Sequence, residues 1–233
     1  MCDDCLRLSR RSLLAGGAAA WIGMATTPVW ADAPVAPNAI SPDDALKRLM
    51  AGNARYATNM ATHKDFSAGR AARALKQYPF ASIVSCADSR VAPELAFDEG
   101  PGELFVVRVA GNFVNDDGLA SLEYGVKFLG TPLIMVLGHT NCGAVDATIK
   151  VVSENAELPG HLPGLVDAIK PAVETAKKAG DENLLDRAIA ENVRHNVARL
   201  QTSQPILSRF VEEGKVMVVG AVYDPATGKV GLV

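Results

Sequence analysis

The heptapeptide Pro132-Leu-Ile-Met-Val-Leu-Gly138 constrains the fold of this chain more than any other stretch. It is apolar from end to end, short, and rich in branched residues. Strict apolar–polar alternation would mark a strand with one wet face; an unbroken run of this length marks a strand covered on both faces. Phe80–Ser85, Leu104–Ala110 and Val216–Tyr223 are similar runs, and Val230–Val233 reads as a short final strand after the turn Asp224-Pro-Ala-Thr-Gly228.

Helical periodicity fills the gaps between these runs. Ser41-Pro42-Asp43-Asp44 opens a helix that fades near Tyr56, with a capping serine, a proline at the first position and acids at the dipole's positive end. A second helix is expected within Lys64–Lys76, others over Gly118–Leu129, from about Gly143, over Leu165–Ala179 and over Asp181–Gln201, with a loop from Glu154 to Pro163. Strands alternating with helices imply an α/β fold. The expectation is a Rossmann-like single domain, residues 41–233, whose mostly parallel central sheet of four to five strands is flanked by helices.

The amino-terminal segment reads differently. Ser9-Arg10-Arg11-Ser12-Leu13-Leu14 is a twin-arginine pattern, followed by the mildly apolar Ala15–Ala25 and by Val29-Trp30-Ala31, a small-x-Ala cleavage site. Residues 1–31 are therefore read as a signal peptide cut after Ala31, and the proline- and alanine-rich 32–40 as a flexible arm. A membrane anchor is the alternative, but the apolar stretch is shorter than a bilayer span and broken by glycines. Export by this route places the mature protein in the periplasm, already folded. The leader takes three of the 23 basic and two of the 26 acidic residues with it, leaving a net charge of −4. That balance argues against nucleic acid or an anionic membrane as a partner. Cys2, Cys5 and both tryptophans, Trp21 and Trp30, also leave, so Cys86 and Cys142 are the mature chain's cysteines.

Those two cysteines sit at strand ends. Cys86 follows Phe80–Ser85, with Asp88 and Arg90 two and four residues on; Pro132–Gly138 runs into His139-Thr-Asn-Cys142-Gly143. Ligands of open α/β sheets gather beyond the carboxyl ends of the strands. Adjacent strands would bring two sulfurs and an imidazole to one crevice, and Cys₂His is a donor set of zinc sites that keep an open position. A disulfide between Cys86 and Cys142 is the competing reading in an oxidising compartment. His63, His161 and His195 are read as surface residues without a role.

The motif Cys-Ala-Asp-Ser-Arg-Val, followed some fifty residues later by Gly-His-Thr-Asn-Cys-Gly-Ala, resembles the β-class carbonic anhydrases over nearly the whole chain from Ser41 on. That resemblance implies Zn2+ held by Cys86, His139 and Cys142, and a dyad of Asp88 and Arg90 beside it. It also implies a substrate pocket of Gln77, nine residues before Cys86, Phe105, nineteen after it, and Tyr124, fifteen before His139. In the family these line a pocket shared across a dimer interface, so a homodimer or a dimer of dimers is implied. Some members carry a regulatory bicarbonate pocket with a tryptophan; its absence from the mature chain, with Gln77 present, implies the form with an open fourth zinc position. The implied reaction is reversible hydration of carbon dioxide to bicarbonate and a proton. A same-fold zinc hydrolase of carbonyl sulfide or carbon disulfide is the alternative, and an exported, non-enzymatic metal-binding or disulfide-stabilised module is a third.

Overall fold

The computed structural model describes residues 36–62, 64–180 and 182–233, which form one compact unit. The expected signal peptide, residues 32–35 of the arm, and His63 lie outside the described residues. Helix α1 (Pro42–Ala57) starts as expected: the Ser41 hydroxyl accepts the Asp44 N–H at 3.1 Å. Helix α2 (Arg70–Leu75) lies within Lys64–Lys76, where a second helix is expected, and occupies its second half. The Asp65 carboxylate turns the chain by accepting from the N–H of Ser67 at 2.8 Å, and Gly69 enters the left-handed region at φ 70°, so helical dihedrals begin only afterwards.

Strands β1 (Ala81–Ser85), β2 (Leu104–Arg108), β3 (Leu133–His139), β4 (Met217–Asp224) and β5 (Lys229–Leu232) form one sheet in the order β2-β1-β3-β4-β5. The first four are parallel and β5 returns antiparallel to β4. Every residue of β1 and β3 is buried, as their unbroken apolar character requires. Between β1 and β2 lies a one-turn helix α3 (Pro93–Ala96), and after β2 comes α4 (Asp116–Leu129), capped by Asn115. Helices α5 (Gly143–Glu154), α6 (Leu162–Lys177), α7 (Leu184–Thr202) and α8 (Leu207–Glu212) separate β3 from β4. Among the described residues no helix is long and apolar enough to cross a membrane.

Helices cover the sheet from both sides. On one face Ala45 and Leu49 of α1 and Phe97 pack on Ile83, Met135, Leu137 and Tyr223. On the other, Leu122 and Val126 of α4 and Val193 and Leu200 of α7 pack on Val84, Ile134 and Val136. A third cluster, built from α5, α6 and α7, encloses Cys86 and Cys142 beyond the carboxyl ends of β1 and β3. That end of the sheet is thus both the ligand-binding end of the fold and a sealed one.

Candidate metal centre

Two neighbouring strands deliver the ligands. In β1 Ser85 pairs with Leu137 of β3, so Cys86 stands beside the last turn of β3 before His139. The chain then turns through Asn141, held at φ 55°, and Cys142 takes the N-cap position of α5. The donor atoms of Cys86, His139 and Cys142 consequently lie within 4.8 Å of one another, and all three residues are buried. Both cysteines are free thiols, so the sulfurs are not bonded to each other.

The electronic state of this trio suits a cation. His139 Nδ1 lies 2.9 Å from the Thr140 carbonyl, an acceptor, so that nitrogen carries the hydrogen and Nε2 keeps the lone pair. Nε2 is buried without a hydrogen-bond partner among the described residues, a costly arrangement for a polar atom unless it binds something. The neighbouring Cys142 sulfur pulls the Cys86 thiol well below its ordinary range, while the Cys86 sulfur and burial push the Cys142 thiol up. The Gly111 N–H also donates to the Cys86 sulfur at 3.3 Å. Two buried sulfurs beside an unsatisfied imidazole nitrogen form a donor set that a soft dication such as zinc fits.

Asp88 and Arg90 stand at the rim of this cluster. Arg90 donates from Nε to Oδ1 at 2.9 Å and from Nη2 to Oδ2 at 2.7 Å, a two-pronged pair, and its own backbone N–H reaches Oδ1 at 2.9 Å. Its Nη2 also reaches the Asn141 carbonyl at 3.3 Å, which ties the first motif to the second. Arg90 holds the Asp88 carboxyl far below the usual carboxylate range. The Oδ2 atom lies 3.8 Å from His139 Nε2. Behind the turn, the Arg108 guanidinium donates to the carbonyls of Cys86 at 3.1 Å and Asp88 at 2.8 Å.

Gln77, Phe105 and Tyr124 gather elsewhere. Phe105 pairs with Ser82, four residues and roughly 13 Å of strand before Cys86. The Phe105 and Tyr124 rings are 6.4 Å apart, and Tyr124 continues to Phe128 at 5.5 Å. Gln77 and Tyr124 line one surface concavity together with Tyr78 and Phe128, at the amino end of the sheet. Within one chain, therefore, this group stands at the opposite end of the sheet from the sulfurs and the imidazole. His161 and His195 are exposed.

Sequence reading missed the residues that hold the site from behind: Arg108, Gly111, and the buried Asn192 and Asn196 of α7. The asparagines did carry a signal. They are polar residues one helical turn apart on a face otherwise made of Ala188, Ile189, Val193 and Leu200.

Residues 81–230 match the family model described as "Carbonic anhydrase". A carbonic anhydrase of Mycolicibacterium smegmatis is 38% identical over 193 residues, covering 82% of this chain and 93% of that protein. Carbonic anhydrase 2 of Mycobacterium tuberculosis is 36% identical over 190 residues, covering 81% and 91%. Among solved structures, the Coccomyxa β-carbonic anhydrase in complex with acetazolamide superimposes with a TM-score of 0.64 at 31% identity, covering 81% of this chain and 86% of the other.

Proposed function

This chain belongs to the β-class carbonic anhydrase family, and from that premise we propose that it hydrates carbon dioxide reversibly to bicarbonate and a proton, with zinc held by Cys86, His139 and Cys142. The observation that carries the reading is the convergence of those three buried donors within 4.8 Å, one of them an imidazole nitrogen with no other partner. Zinc supplies, when bound, the lowering of a water's pKa that makes hydroxide available near neutral pH.

The chain's own residues do the rest. Asp88, kept ionised by Arg90, accepts a hydrogen bond from the attacking oxygen and so aims that oxygen's lone pair at the carbon. Arg90 engages both carboxylate oxygens and so restrains Asp88 from turning onto the ligand cluster. Phe105 offers an apolar wall for a small apolar substrate, and the Gln77 amide a donor for an oxygen of bicarbonate. Since these two lie with Tyr124 at the far end of the sheet, we assign them to the site of a second copy: each centre takes its metal from one chain and its substrate wall from the other. The twin-arginine leader supports export to the periplasm; changing Arg10 and Arg11 to lysine should hold the protein in the cytoplasm, and unchanged export would refute that route.

Metal analysis of the purified protein together with stopped-flow hydration of carbon dioxide tests the function. About one zinc per chain and turnover that a chelator removes are expected. A zinc-loaded protein inert toward carbon dioxide but active on carbonyl sulfide would move the assignment to the hydrolase reading.

A further inference from the structure

Buried amides are costly in an apolar helix face unless something pairs with them, and α7 carries two. Asn192 is 1% exposed and Asn196 2%. Their partners are specific. Asn192 Nδ2 donates to the Gly111 carbonyl at 2.8 Å, and Asn196 Oδ1 accepts the Val114 N–H at 2.8 Å. Asn196 Nδ2 in turn donates to the Asn192 carbonyl at 2.8 Å, which locks the two together. Two of these three bonds go to the loop after β2, and among the described residues that loop hydrogen-bonds a ligand sulfur through the Gly111 N–H, on Cys86 at 3.3 Å.

The loop leaves the peptide little freedom of its own. Gly111 sits at φ 83°, and a Cβ there would fall 2.5 Å from Ile169 Cδ1, so α6 presses on it from one side while Asn192 holds its carbonyl from the other. The Gly111 N–H and carbonyl belong to successive peptide units joined at its α-carbon, so holding the carbonyl and packing the α-carbon restrains the dihedrals of Gly111 and with them the direction of its N–H. An N–H donated to a thiolate draws electron density from the sulfur and fixes the sulfur's position, as outer contacts of metal ligands generally do.

We propose that Asn192, held by Asn196, is a positioning residue for the metal ligand Cys86: by fixing the backbone of Gly111 on both sides of its α-carbon it sets the orientation and donor strength of that sulfur. The inference rests on the reading of Cys86, His139 and Cys142 as a metal site and adds a residue 48 positions beyond the end of the second motif, at Ala144.

The test compares Asn192→Leu with Asn53→Leu. Asn53 is equally a buried amide of a helix, donating to the carbonyls of Ala96 and Gly228 and accepting from Val230, but none of its partners touches a metal ligand. Both variants should lose thermal stability. Only Asn192→Leu should weaken zinc binding, by about tenfold in competition with a chromophoric chelator. Only it should shift the sulfur-to-metal charge-transfer band of the cobalt-substituted protein to lower energy, because a sulfur relieved of its hydrogen bond gives up an electron more readily. If the leucine variant does not fold, Asn192→Ser removes the same donor with less bulk and should move both readouts in the same directions. Unchanged affinity and an unshifted band in a folded Asn192 variant would overturn the proposal, as would equal shifts from Asn53→Leu. A wild-type protein with no charge-transfer band at all would instead bring down the metal site itself, and this inference with it.

Discussion

The two ends of the sheet are built on opposite terms. At the carboxyl end, Cys86, His139 and Cys142 are 3%, 0% and 1% exposed, wrapped by three helices, and side chains hold the backbone at Cys86, Gly111 and Asn141. At the amino end, Tyr124 is 47% exposed and Phe128 69%, and Gln77 faces an open concavity. A centre that must hold an ion needs donors kept rigidly in place, and one chain can supply that. A wall for a passing gas molecule needs only to be present when the ion is, and it can come from another copy. The contrast separates what this chain completes alone from what it leaves open.

Loss of a ligand at the closed end should have the largest effect. Cys142→Ser is expected to remove zinc and all turnover, read by metal analysis and stopped flow; a variant that keeps both would break the comparison at once. Arg90→Ala comes next. It should lower turnover about a hundredfold or more while zinc stays bound, because Asp88 loses its two-pronged partner but the three donors do not. A protein that lost zinc on this change would place Arg90 in the metal's support instead.

At the open end the effects are smaller and cross between chains. Gln77→Ala should lower kcat/KM roughly tenfold, the worth of one hydrogen bond to substrate, without touching zinc content. Mixing Gln77→Ala with Cys142→Ser and re-equilibrating the subunits should then restore activity, since one site in each mixed pair has an intact metal side and an intact wall. No recovery, in a mixture shown to exchange subunits, would confine the site to a single chain.

The pH response belongs to the closed end. Asp88 is held below its unfolded value by Arg90, so the stability it contributes is present above about pH 4 and is lost as pH falls through the folded value. The difference in thermal stability between the wild-type protein and Asp88→Asn should therefore shrink on acidification, and a constant difference would contradict the ion pair. Two thiolates and a neutral imidazole also offset a dication's charge more fully than three imidazoles do. Activity should therefore climb toward alkaline pH, and a profile already flat below neutrality would contradict that donor set.

Much of this was legible in the chain, and the reasons are physical. β1 and β3 are unbroken apolar runs because they are covered on both faces, and such runs declare themselves. Metal donors lie within a few residues of those strand ends, so local spacing reveals them. The short helices α3 and α8 were not expected, since four and six residues carry too little periodicity to register. Helix α2 takes only the second half of Lys64–Lys76, the stretch expected to include it, because the side chain of Asp65 and the left-handed Gly69 hold the first half as a turn. What Arg108 and the α7 asparagines hold was hidden for a different reason, although the asparagines stand out on an apolar helix face: the backbone atoms they grip lie 20 to 82 residues away, a distance at which no pattern in the sequence points.

Zinc K-edge X-ray absorption on the purified protein addresses the central claim most directly. Two sulfur neighbours at about 2.3 Å and one imidazole nitrogen at about 2.0 Å are expected, with a light oxygen or nitrogen atom completing the shell. A shell without sulfur, or a zinc-free protein in which Cys86 and Cys142 are joined as a disulfide, would contradict it.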